Sequence, residues 1–230
     1  MKKIILFPLG FIIIHSAFAQ LMFQKQYNGV MGDWAKSVAQ TADGGYIISG
    51  TALMAGGTWD SRIALVKTDS VGNIIWGKMF DEVSTNNDGN SVLQTSDGGY
   101  LVASTNWSNK AILIKTDIVG DTLWTKIIDK ATASEVSHTS DGGYIIAGSS
   151  FEVPADFDMR LIKIDSSGNV LWSQRYGSLL REDGFSCIQT SDGGFIIVGK
   201  TEGFGAGYSD VYLVKTDSVG NVLWSKTFGG

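Results

Sequence analysis

The residues able to do chemistry are few and scattered. Four aspartates recur in a Lys-x-Asp pattern, at Asp69, Asp117, Asp165 and Asp217, and carboxylates of this kind can ligate calcium. They lack the dense D-x-D-x-D-G spacing of a calcium loop, so turn formation is their expected role and no metal site is expected. Asp81, Glu82 and Asp88 form one acidic cluster, and Glu182 with Asp183 another. Glycoside cleavage uses two opposed carboxylates, but acidic loops are also ordinary on an acidic surface. His138 is the one histidine beyond residue 19, and it takes the place of Gln40, Gln94 and Gln189 in aligned segments. A structural hydrogen bond suits it better than general-base work. Cys187 stands where Val38, Val92 and Val136 stand, and reads as a small core residue. No P-loop, G-x-G-x-x-G, G-x-S-x-G or H-E-x-x-H is present. No catalytic residue and no cofactor are therefore expected. The remaining chemistry is in loop rings: Trp59, Trp107, Phe151, Phe157, Phe204 and Tyr208. Of these, Trp59, Trp107, Phe157 and Tyr208 are the expected ligand-binding residues, because rings among polar groups stack on a glycan or anchor a partner protein. The competing reading has the rings capping the core.

The elements that position these residues come from one unit written four times. Asp-Gly-Gly followed by an aromatic occurs at Asp43, Asp97, Asp141 and Asp192, and each Lys-x-Asp aspartate is followed seven residues on by Trp76, Trp124, Trp172 or Trp224. Short β-branched and aromatic runs bounded by Gly, Asp, Asn and Ser predict four strands, a to d, in each unit. Asp-Gly predicts positive φ angles in the a–b turn, and Asp-x-x-Gly-Asn/Asp predicts a c–d turn closed by the aspartate. Runs such as Ile63–Val66 are nearly continuous in apolar residues. That pattern predicts sheets covered on both faces. The expected fold is all-β, a β-propeller of four-stranded antiparallel blades, with a sandwich as the rival. The expected blades span about residues 33–80, 87–129, 133–177 and 183–229. Residues 22–29 resemble a further d strand, so the expectation is four blades plus one extra N-terminal strand, in an incomplete ring or as part of a larger secreted propeller.

The stretch Val214–Trp224 and its three siblings resemble the tryptophan-docking motif of pyrroloquinoline-quinone-type propellers. The whole unit is similar to tandem repeats of secreted bacterial β-propeller proteins. The resemblance implies a propeller fold and, for many such proteins, export by the type IX pathway. The residues with which the quinoprotein enzymes hold their cofactor have no counterpart that can be matched here.

Residues 1–19 read as a signal peptide: Lys2 and Lys3, an apolar run over 4–14, then Ala17-Phe18-Ala19. Cleavage after Ala19 would leave a secreted or periplasmic chain with no membrane segment. The sequence has 29 glycines but two prolines and one cysteine, which excludes collagen and a disulfide scaffold. A net charge of −5 argues against nucleic acid as a partner. The b–c and d–a loops lie at one end of every blade and vary in length, which marks that end as the binding face. The expected function is a non-catalytic scaffold binding a protein or glycan there, with a quinone-dependent or carbohydrate-active enzyme as the alternative. Self-association through an open blade edge is a further expected partner mode.

Overall fold

The computed structural model describes residues 24–27, 33–54, 60–80, 87–151 and 157–230. Trp59, Asp81 and Glu82 lie outside the described residues, as do residues 1–19. Four antiparallel sheets follow one another, each of four strands in chain order, with no helix among the described residues. The first holds β1 (Asp33–Gln40), β2 (Tyr46–Leu53), β3 (Ser61–Thr68) and β4 (Ile74–Phe80). The second holds β5 (Asn87–Gln94), β6 (Tyr100–Asn106), β7 (Ala111–Thr116) and β8 (Thr122–Ile128). The third holds β9 (Glu135–His138), β10 (Tyr144–Ser149), β11 (Met159–Ile164) and β12 (Val170–Tyr176). The fourth holds β13 (Glu182–Gln189), β14 (Phe195–Thr201), β15 (Asp210–Thr216) and β16 (Val222–Phe228).

Each a–b turn is tied to the c strand of its own sheet. In the first sheet Asp43 accepts from Thr41 Oγ1 at 2.5 Å and from the Gly45 amide at 3.0 Å. It also meets the Lys67 ammonium at 2.9 Å. Lys115–Asp97, Lys163–Asp141 and Lys215–Asp192 repeat the pair at 2.8, 2.9 and 2.9 Å. The lysines are buried and the aspartates half exposed. The aspartate is therefore an anchor for a buried cation. It does not take the positive φ expected of it; the first glycine does, at +81° for Gly44.

Burial pushes the Asp97 carboxyl upward, but hydrogen bonds from Lys115 and Thr95 overcome this and hold it at about 2. Hydrogen bonds from Thr139 and Lys163 hold Asp141 at about 2 as well. A depressed carboxylate pKa stabilises the fold above the unfolded value, near 3.8, and the gain is lost as pH falls toward the folded value. Urea midpoints are expected to be level from pH 7 to 5 and to drop between about pH 4 and 2. The double variant Asp97→Asn/Asp141→Asn should flatten that drop; an equally steep one would refute the assignment.

Three apolar cores join neighbouring sheets. Ile47, Ile63 and Leu65 of the first sheet meet Tyr100, Val102 and Ile114 of the second. Leu101 and Leu113 of the second meet Tyr144 and Ile162 of the third. Ile145 and Leu161 of the third meet Phe195 and Val214 of the fourth. Trp76, Trp124 and Trp172 each complete the core between their own sheet and the next. The Trp76 ring stands edge-on to Tyr100 at 5.7 Å, and Trp172 edge-on to Phe195 at 5.6 Å. A Cβ on Gly120, Gly168 or Gly220 would fall within 2.9, 2.7 or 2.9 Å of the preceding sheet's side chains, among them Trp76, Trp124 and Trp172. These c–d glycines also have φ of +84°, +80° and +86°. Glycine thus serves the turn and the tryptophan's seat together.

The middle and end sheets differ. β7 is buried at every position, as its continuous apolar run predicts. β3 alternates between buried and half-buried, because only one of its faces is covered. No core among the described residues joins the fourth sheet to the first.

The segment Gln24–Tyr27 belongs to none of the four sheets. It nevertheless holds the position of a preceding d strand. Tyr27 Oη donates to the Gly72 carbonyl at 2.8 Å, as Tyr176 Oη does to the Gly220 carbonyl at 2.8 Å. Lys25 reaches Asn73 at 3.3 Å, as Lys78 reaches Asp121 at 2.7 Å.

Candidate ligand-binding cleft

The a strands carry a recurrent irregularity. Pairing slips between Ala35 and Ser37, between Gly89 and Ser91, and between Gly184 and Ser186. Such a bulge re-aims the extra side chain, here Lys36, Asn90 and Phe185. Glycines opposite admit the bulged backbone: a Cβ on Gly50 would stand 2.0 Å from the Trp34 carbonyl oxygen, and one on Gly199 1.8 Å from that of Asp183. This accounts for the glycines at these two b-strand positions.

The bulges at Asn90 and Phe185 border a cleft of about 300 Å³ at the end that carries the b–c and d–a loops. Asn90 comes from β5, Ser149 from β10, Phe157 from just before β11, Arg181 from just before β13, and Asp183 and Phe185 from β13. The Arg181 guanidinium lies over the Phe157 ring, 4.5 Å from its centre. Arg181 Nε also donates to Asp183 at 2.8 Å, and this bond holds its proton more firmly than usual. Asp183 further accepts from Ser149 Oγ at 3.3 Å. Asn90 donates to the Ala133 carbonyl at 2.8 Å. The polar floor is thus held in place by its own bonds.

The expected site residues are dispersed. Phe157 lines the cleft. Trp107 and Tyr208 stand exposed in their loops and do not line it. Phe151 packs on Phe157 at 4.7 Å, and Phe204 on Tyr212 at 5.1 Å, so these two rings cap the blade ends. The carboxylates separate as well. Glu182 is fully buried and accepts from Ser178 and Thr201 at 2.9 and 2.7 Å, whereas Asp183 faces the cleft. Adjacent residues on one strand point to opposite faces, so the two do not oppose one another across a substrate. Asp69 Oδ1 accepts the amides of Val71 and Asn73 at 3.0 and 2.8 Å, closing the c–d turn. Those bonds lower its pKa, the Asn73 amide most. No cluster of metal-ligating side chains occurs among the described residues.

Gln94 and Gln189 accept the amides of Ala42 and Ser140 in the preceding sheet, at 2.8 and 2.7 Å. The ring of His138, at the aligned position, stands 5.7 Å from that of Tyr144. Cys187 is buried against the Ile145 carbonyl, and burial pushes its thiol pKa far up, which makes it unreactive.

No family model matches this chain, and no curated relative does. Solved structures do. An α-L-arabinofuranosidase from Clostridium thermocellum aligns over 85% of this chain and 73% of its own, at 10% identity and a TM-score of 0.50. A Bacteroides caccae protein of unknown function covers 88% and 84%, at 14% identity and 0.49. The Neurospora crassa Pan2 WD40 domain covers 84% and 66%, at 12% identity and 0.49. The four sheets are propeller blades. At these identities the likeness concerns the fold alone. The cleft accordingly lies across blades 2, 3 and 4, beside the bulged strands β5 and β13.

Proposed function

We propose that the protein is an exported, non-catalytic propeller scaffold that holds a glycan in the cleft across blades 2 to 4. The observation that carries this reading is the cleft's makeup: Phe157 and Phe185 with Arg181 around a bonded polar floor. Rings take the apolar faces of a sugar, while guanidinium, amide and hydroxyl groups take its hydroxyls. Side chains already held by neighbours lose little freedom on binding. Export rests on the leader of residues 1–19, and the secreted chain should begin at Gln20 by mass. A quinone-dependent reaction forms no part of the proposal.

The test is affinity electrophoresis against neutral and acidic polysaccharides, followed by calorimetry. Phe157→Ala and Phe185→Ala are each expected to weaken binding about tenfold, the worth of one stacked ring. Binding unchanged in both variants, or absent for every polysaccharide, would overturn the glycan-binding cleft.

A further inference from the structure

The four blades leave two open faces, and each is one half of an interface the chain already makes three times. On blade 1 the open face presents Val38, Ile48, Ala64 and Val66. Their counterparts in blade 2, Val92, Val102, Ile112 and Ile114, are buried against blade 1. Val38 is 63% exposed where Val92 is 5%. On blade 4 the open face presents Ile188, Val211, Leu213 and Trp224. Ile188 is 57% exposed where its counterpart Leu93, buried against blade 3, is 7%. Trp224 is the one docking tryptophan of the four with no following blade in the structure, and 39% of it is exposed. The seat that such a ring requires, a c–d glycine of positive φ, exists on blade 1 at Gly72, φ +79°.

We infer that two copies of this chain associate head to tail, blade 4 of each on blade 1 of the other, closing a ring of eight blades. Rings of about 4–8 blades are the known range. A second copy is the occupant because it carries both halves in matching register. The same rule would place Lys226 beside the second copy's Asn73, as Lys78 lies beside Asp121 at 2.7 Å. Apolar faces left open are also a hazard that closure removes.

The segment Gln24–Tyr27 stands in the way. It covers the rim at Gly72 and leaves a groove of about 360 Å³ over Ile48, Ala64 and Val66. An incoming β16 would take the place of this segment, so segment and second copy compete for one seat.

The test uses residues 20–230 with Lys226→Cys and Asn73→Cys together. Both positions are exposed, and the native Cys187 is buried. A short bismaleimide is expected to yield covalent dimers and nothing larger, with dimers also in sedimentation equilibrium. Val38→Glu should abolish the dimer while leaving the circular dichroism spectrum unchanged, and deletion of residues 20–29 should tighten association at least tenfold. A monomer at all concentrations, as for a chain whose face awaits other blades, would overturn the inference. So would a ladder of open oligomers, or weaker association on deletion.

Discussion

Asp97→Ala is expected to lower the unfolding free energy by about 2–3 kcal/mol, and Lys115→Met by no more than about 1. The asymmetry follows from where each charge sits. The Lys115 side chain is 5% exposed, while that of Asp97 is 57% exposed. Removing the aspartate strands an ammonium whose other acceptor is the Thr116 carbonyl, at 2.9 Å. Breaking a buried pair from one side costs about 3–5 kcal/mol, and water at Asp97 reduces that figure. Removing the lysine instead leaves a carboxylate that water can solvate, and Met fills much of the same space. Urea unfolding of the two variants measures the difference. Equal losses would mean that the lysine's burial does not set the strength of the pair.

Trp172→Ala is expected to cost about 3 kcal/mol, toward the low end for a large ring because Trp172 is only partly buried. The ring packs edge-on against Phe195 and over Gly220, so its loss opens the core between blades 3 and 4. Trp224→Ala removes the ring from the same place in blade 4, where no core among the described residues takes it. At concentrations low enough to keep the chain monomeric it should cost less than about 1 kcal/mol. Comparable losses for the two would show that position within the blade, rather than docking, gives the ring its worth.

Much of the fold was legible because its signals are local. The Trp-to-Trp repeat, the turn glycines and the β-branched runs are each contained in one unit, and each produced a strand, a turn or a docking ring. Lys115 and Asp97 were both visible as repeat markers, yet their pairing was not. They lie on different hairpins, 18 residues apart, and nothing in either stretch names the other. The run Ile63–Val66 also overstated its burial: composition says which faces suit an apolar neighbour, not whether one is present. The cleft was the least legible feature. Phe185 and Asn90 reach it through bulges, and Arg181 reaches it from the loop before β13, so three blades had to be folded before these residues became neighbours. Their signal was available only in part, in the b-strand glycine Gly199 opposite the bulge at Phe185; the bulge at Asn90 faces Ser104 and carries no such mark.

The order of the strands has a kinetic consequence. Every ladder joins strands consecutive in the chain, and every core joins consecutive blades. All-β chains usually fold slowly because segments far apart in sequence must find each other before any contact rewards the search. Here no step of that kind is needed within the four blades. Each hairpin can form from a short loop, each blade from its own unit, and each core from blades already tethered side by side. The search length is that of one repeat, so adding blades would lengthen the molecule without lengthening the slowest step by the same factor.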